Sequence, residues 1–105
     1  MSAAGIPTCT EEEIRRRLAA ELPAWSYEGG WLRRDAPAAT RVGTLMLANR
    51  LAYVAEAAHH HPDLDLGPGG IRIRIRHHWA AGITESDYEL ARALEDVLEE
   101  GEGGA

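Results

Sequence analysis

All five histidines of the chain fall in two clusters, His59-His60-His61 ahead of Pro62 and His77-His78 at the end of an alternating Ile/Arg run. Imidazole exchanges protons near neutral pH, so this grouping marks where acid–base chemistry would sit. Glu56 stands four positions before His60. On one helix the two share a face, and the carboxylate together with the negative end of that helix favours a charged ring, which makes His60 a candidate general acid. His61 precedes a proline, is pushed towards an extended conformation and must point elsewhere, so the two rings can hold different atoms of one substrate. Strict alternation sets Ile71, Ile73, Ile75 and His77 on one face of a strand and Arg72, Arg74, Arg76 and His78 on the other.

Competing readings of the same residues stay open on spacing alone. A histidine at a helix end can be a capping or solvated residue. Three histidines and a carboxylate would suffice chemically for zinc, but adjacent rings rarely aim at one ion and no second cysteine supports a structural site, so no metal is expected. The arginine stripe reads first as a solvated sheet face. Ion pairs to the acidic last helix of a neighbouring subunit, or attraction of an anionic ligand, are the alternatives.

The elements that must position these residues follow from capping and periodicity. Thr10-x-x-Glu13 opens a helix in which Ile14, Leu18 and Leu22 repeat at helical spacing, and Pro23 ends it. Trp25–Glu28 and Trp31–Arg33 flank Gly29-Gly30 as a hairpin. The stretch from Asp35 to Ala39 is weak strand material because Pro37 lacks a ladder donor, so the second strand is expected to end early or to lie at a sheet edge. A long helix from Thr40 towards His59 carries Val42, Leu45, Met46, Leu47, Leu51, Ala52, Val54, Ala55 and Ala58. Its wide apolar stripe suggests burial against both the sheet and a partner subunit. Pro62 should stop it near His60.

Asp63–Leu66 alternates as a short strand, residues 67–70 form a loop and Ile71–Trp79 alternates again. Thr84, with Asp87 at the third helical position, caps a last helix whose inner face is Leu90, Leu94, Val97 and Leu98. The predicted architecture is α+β: a four-stranded antiparallel sheet with helices packed on one face, in the order α-β-β-α-β-β-α.

At 105 residues this is one domain, with residues 1–9 and 101–105 as loose termini. Eighteen alanines and no phenylalanine make for a thin core, and covering an apolar face by forming a homodimer or homotetramer is expected. From Glu85 onward eight acids meet one arginine, whereas the preceding residues carry nine acids and ten arginines, so the formal charge of -6 belongs to the last helix and tail. That balance argues against direct nucleic-acid binding. A single cysteine, a start without the basic and apolar regions of a secretory signal, and no apolar run near the roughly 20 residues a bilayer requires point to a soluble, cytoplasmic protein.

The run Glu56-x-x-x-His60-His61-Pro62, followed by His78 and by Thr84-Glu85-x-Asp87, resembles the pterin-4a-carbinolamine dehydratases, and the likeness extends through Thr10-x-Glu12-Glu13-Ile14, Leu22-Pro23-x-Trp25 and Leu32-x-Arg34. It covers residues 8 to about 100. The resemblance implies dehydration of 4a-hydroxytetrahydropterin to quinonoid dihydropterin and water without a metal or other cofactor, in the service of a pterin-dependent aromatic amino-acid hydroxylase. It further implies that His60, His61 and His78 are active-site histidines and Glu56 their acidic partner. Asp87 matches a later aspartate and reads mainly as a helix cap; with His61, Pro62 and Leu64 it would contact substrate.

In that chemistry a positioned imidazolium protonates the departing C4a hydroxyl, a role given to His60, while His78 serves as the second proton-transfer group and His61 mainly binds. Arg76 beside His78 suits a neutral, hydrogen-bonding or basic ring there. Leu64 and Pro68 stand where the family commonly has aromatics, which leaves less surface to stack on the pterin ring. His59 and His77 lie outside the motif. The same fold also serves relatives as a protein-binding, assembly or transcriptional coactivator module, the alternative reading for this chain.

Overall fold

The computed structural model describes residues 8–76 and 82–104. Its first helix, α1 (Glu11–Glu21), starts at the expected capping box: the Glu13 backbone N–H donates to Thr10 Oγ1 at 3.2 Å and the Thr10 N–H to Glu13 Oε1 at 2.8 Å. Strands β1 (Ser26–Glu28) and β2 (Trp31–Pro37) follow, joined by Gly29 and Gly30 at φ +58° and +91°. Both angles lie in the region that a tight two-residue hairpin turn demands. Helix α2 (Arg41–Ala58), strands β3 (Asp63–Gly67) and β4 (Gly70–Ile75) and helix α3 (Glu85–Gly104) complete the order α-β-β-α-β-β-α.

The four strands form one antiparallel sheet in the order β1-β2-β4-β3. Leu32, Ala36, Ile71, Ile73 and Ile75 are buried on one face with the helical residues Ile14, Leu18, Leu51, Ala55, Leu94 and Leu98. Arg33, Asp35, Arg72 and Arg74 alternate with them on the opposite face, in the two-residue period the sequence predicts. Each fully buried leucine or isoleucine contributes about 1.5–3 kcal/mol, so the three β4 isoleucines alone anchor the strand that leads to the second histidine cluster. No described helix is long and apolar enough to cross a membrane.

β2 does not end early: it continues through Pro37, opposite Gly70, and runs there along an open edge of the sheet, the second of the two outcomes expected. The reason is partner length: β1 covers only Trp31–Arg33, so from Arg34 onward one side of β2 has no described strand beside it and the missing proline donor costs no ladder bond. The β3–β4 connection is shorter than a four-residue loop, since Gly67 already pairs with Gly70 and only Pro68 and Gly69 turn.

On the outer sheet face the arginine stripe is satisfied within the chain. Arg72 pairs with Asp35 at 3.2 Å and Arg74 with Asp63 at 3.5 Å, while Arg74 and Arg76 lie over the Trp31 ring at 4.8 and 4.6 Å. On the inner face Arg34 takes the place of an apolar residue. Its guanidinium holds Glu95 of α3 through two bonds of 2.9 and 3.2 Å, and Trp25 Nε1 donates to the same carboxylate at 2.8 Å. Burial works against ionising Glu95, but the bonds from Arg34 and Trp25 and the guanidinium charge outweigh it and hold the carboxyl below its ordinary range.

Of the α2 apolar stripe, Leu51 and Ala55 are buried, while Val42, Leu45 and Met46 are 66%, 56% and 63% exposed. A single copy of the chain therefore covers only part of that stripe.

Candidate active site

The site is built where the end of α2 meets the start of α3. α2 stops at Ala58 because His59 adopts a left-handed conformation, φ +55° and ψ +34°. The His59 N–H donates to Glu56 O at 3.1 Å and the His60 N–H to Ala55 O at 3.2 Å, the two bonds of a Schellman turn. That turn, and not a further helical residue, sets where His60 leaves the helix.

As a result the i,i+4 arrangement of Glu56 and His60 is not formed. Glu56 is exposed, and its carboxylate makes no hydrogen bond or ion pair among the described residues. The carboxylate that His60 meets belongs to Asp87: His60 Nε2 lies 3.3 Å from Asp87 Oδ1, with the two side chains 16% and 0% exposed. The pair stands at ion-pair distance without the alignment of a good hydrogen bond.

Asp87 is held from its other oxygen. The Thr84 N–H donates to Asp87 Oδ2 at 2.7 Å and the Thr84 hydroxyl to the same oxygen at 3.2 Å. In return the Asp87 N–H donates to Thr84 O at 3.0 Å. Of the predicted capping box the half supplied by the Asp87 side chain is present, and it occupies one oxygen only. One buried carboxylate closes the first turn of α3 with Oδ2 and presents Oδ1 to an imidazole delivered by α2.

The remaining candidates are placed as follows. His61 is exposed, and Pro62 is half-buried at the entry to β3. Leu64, on β3, is half-buried and packs on the core. It also lines an open groove of about 490 Å³ with Leu45, Met46 and Ala52 of α2. A second groove, about 360 Å³, lies at the far end of the sheet among Asp35, Pro37, Asp65, Gly67 and Arg72, away from the histidine. His77 and His78 fall outside the described residues. Among the described residues no three of His, Cys, Asp and Glu come together as a metal-ligand set.

Its spacing from Thr84 marks Asp87 mainly as a cap and gives no hint of the contact with His60. A helix cap whose side chain is a carboxylate has an oxygen to spare, and that is the signal that could have found it. Arg34 was likewise visible in the alternation of Leu32-Arg33-Arg34-Asp35-Ala36, which puts it on the apolar face. A charge there requires a buried partner.

Such a site can pass a proton between His60 and a bound molecule while Asp87 orients the ring and offsets the positive charge the ring takes on. The chain is similar to proteins of one family. The family model described as pterin 4 alpha carbinolamine dehydratase matches residues 7–97. A Chloroflexus aurantiacus protein named "Putative pterin-4-alpha-carbinolamine dehydratase" is 34% identical over 93 residues, spanning 89% of this chain and 99% of the relative. A Streptomyces coelicolor protein of the same name is 38% identical over 87 residues, spanning 82% of this chain and 85% of the relative. Among solved structures, a transcriptional coactivator/pterin dehydratase from Brucella melitensis superposes with a TM-score of 0.77 at 21% identity, covering 88% of this chain and 99% of that one, a likeness of fold.

Proposed function

Since the chain belongs to the pterin 4 alpha carbinolamine dehydratase family, we propose that it removes water from a 4a-hydroxytetrahydropterin, with His60 as the proton donor. Hydroxide leaves C4a poorly, so His60 transfers a proton to the hydroxyl as the C4a–O bond breaks and the N5 lone pair closes a C4a=N5 double bond. Water departs, and the proton left on N5 passes to a base, giving a neutral quinonoid dihydropterin. Asp87 keeps the His60 ring in position through the cycle. We assign His78 as the second proton-transfer group and His61 to substrate binding, with Pro62 and Leu64 as apolar wall. Glu56 completes the set as a carboxylate facing the substrate and not as the partner of His60. The reaction would serve a pterin-dependent aromatic amino-acid hydroxylase, which generates this carbinolamine.

The observation that carries the reading is the His60–Asp87 pair, a proton-exchanging ring set against a buried carboxylate at the junction of two helices. The test mixes purified protein with chemically generated 4a-hydroxytetrahydropterin and follows loss of its ultraviolet absorbance. The wild type should accelerate the decay and His60→Ala should lose most of that acceleration. No acceleration over buffer, or an unchanged rate in the variant, refutes the proposal.

A second reading, a protein-binding or coactivator module, is favoured by one feature: Val42, Leu45, Met46 and Tyr53 leave an apolar face of α2 in solvent. Under it a stoichiometric complex with another protein would survive His60→Ala. We also propose that copies of the chain associate.

A further inference from the structure

We infer that Thr84 is a positioning residue for the proposed dehydration, fixing through its hydroxyl the direction in which the Asp87 carboxylate faces His60. The inference rests on the reading of His60 as the proton donor and adds to it a residue that need not touch the substrate.

Asp87 is fully buried, so the direction of its carboxylate is decided by its donors and not by water. Both donors come from Thr84, and both reach Oδ2: the backbone N–H at 2.7 Å and the hydroxyl at 3.2 Å. A single bond leaves a carboxylate free to swing about it. Two donors converging on one oxygen from different directions restrain the swing, and Oδ1 is left 3.3 Å from His60 Nε2.

The hydroxyl carries one proton. While it donates to Asp87 it must accept from Ser86 Oγ, 3.0 Å away, so the order of donation runs Ser86 to Thr84 to Asp87. Thr84 is itself only 3% exposed, which removes solvent as an alternative partner for that proton. The hydroxyl bond is not an ordinary capping contact, in which the N-cap oxygen accepts from a helix N–H: here the Thr84 hydroxyl donates to the Asp87 carboxylate.

The discriminating variants are Thr84→Val, which keeps the branched shape and the backbone bond but deletes the hydroxyl, and Thr84→Ser, which restores it. At a temperature where circular dichroism shows all three proteins folded, kcat should fall about tenfold in Thr84→Val with KM within about twofold, and Thr84→Ser should recover most of the loss. In parallel, nitrogen NMR of the free proteins should show the His60 Nε2 resonance moved in Thr84→Val and returned in Thr84→Ser, a readout that needs no turnover. The inference is overturned if folded Thr84→Val keeps wild-type kcat, if the change appears in KM alone, or if Thr84→Ser behaves like Thr84→Val. Failure of the wild type to accelerate the decay would instead remove the reaction itself, and the resonance shifts would then judge the positioning role separately.

Discussion

Replacing Asp87 by asparagine changes one buried atom and should reverse the hydrogen-bond direction offered to His60. The Oδ2 position receives two donors from Thr84, at 2.7 and 3.2 Å. An amide nitrogen there would set donor against donor and leave buried N–H and O–H groups unmet, at about 1–3 kcal/mol each. The asparagine carbonyl must therefore take the Oδ2 place, which sends its NH2 to the Oδ1 place, 3.3 Å from His60 Nε2. A ring nitrogen facing that group has to present its lone pair, and the ring can no longer carry its second proton towards an anion.

At an effective dielectric of about 20, unit charges at the 3.3 Å separation of this pair interact by about 5 kcal/mol. If roughly half of that is expressed in the transition state for proton donation, kcat falls by about 10²-fold. The cost to folding is smaller, about 1 kcal/mol, because the cap keeps an acceptor and loses only its charge. Steady-state decay of chemically generated carbinolamine gives kcat, and thermal melting of the same samples gives stability. An Asp87→Asn variant that stays folded and turns over at the wild-type rate would refute the claim that Asp87 acts on the His60 ring.

Three further outcomes follow from the fold. Glu95→Gln should destabilise the protein by about 3 kcal/mol in urea titrations at pH 7, because it leaves the Arg34 guanidinium buried beside a neutral group. The Glu95 carboxyl lies below its ordinary value when folded, so its contribution is present above about pH 4.5 and is lost as pH falls through the folded value; the variant should accordingly show a flatter decline in stability on the acid side. Gly70→Ala would place a Cβ 2.2 Å from Ala36 O and 2.9 Å from Ala38 N at φ +138°, backbone contacts that cannot yield, and should cost about 3 kcal/mol or more by the same titration. His59→Gly should raise stability by about 1 kcal/mol, since the left-handed turn at φ +55° strains a residue with a Cβ, and should leave the dehydration rate unchanged because the His59 side chain is exposed.

Where local chemistry decides conformation, the chain could be read directly. Thr10 and Glu13 announce a helix start, Gly29-Gly30 a tight turn and the Ile/Arg alternation a strand with one buried face, and each stands in the structure as such. The extent of β2 could not be read, because whether Pro37 ends a strand depends on what lies beside it and β1 proves too short to reach that far. The end of α2 falls within two residues of where Pro62 leads one to expect it, but the path of the chain out of it could not be read. Pro62 constrains only the residue before it, whereas the chain had already turned at His59.

That small displacement changes the chemistry attributed to the site. On a helix running to His60, the ring would lie over Glu56, a surface carboxylate whose field water and salt screen. Leaving through a left-handed turn, it reaches a carboxylate buried at the start of a helix far along the chain, where screening is weak and two donors from Thr84 hold Oδ2. A buried carboxylate needs its donors, and the Thr84 N–H that closes the first turn of α3 also holds Asp87 for the His60 ring. The residue that the sequence marks as structural and the residue that it marks as reactive are therefore parts of one arrangement, joined through the two oxygens of a single carboxylate.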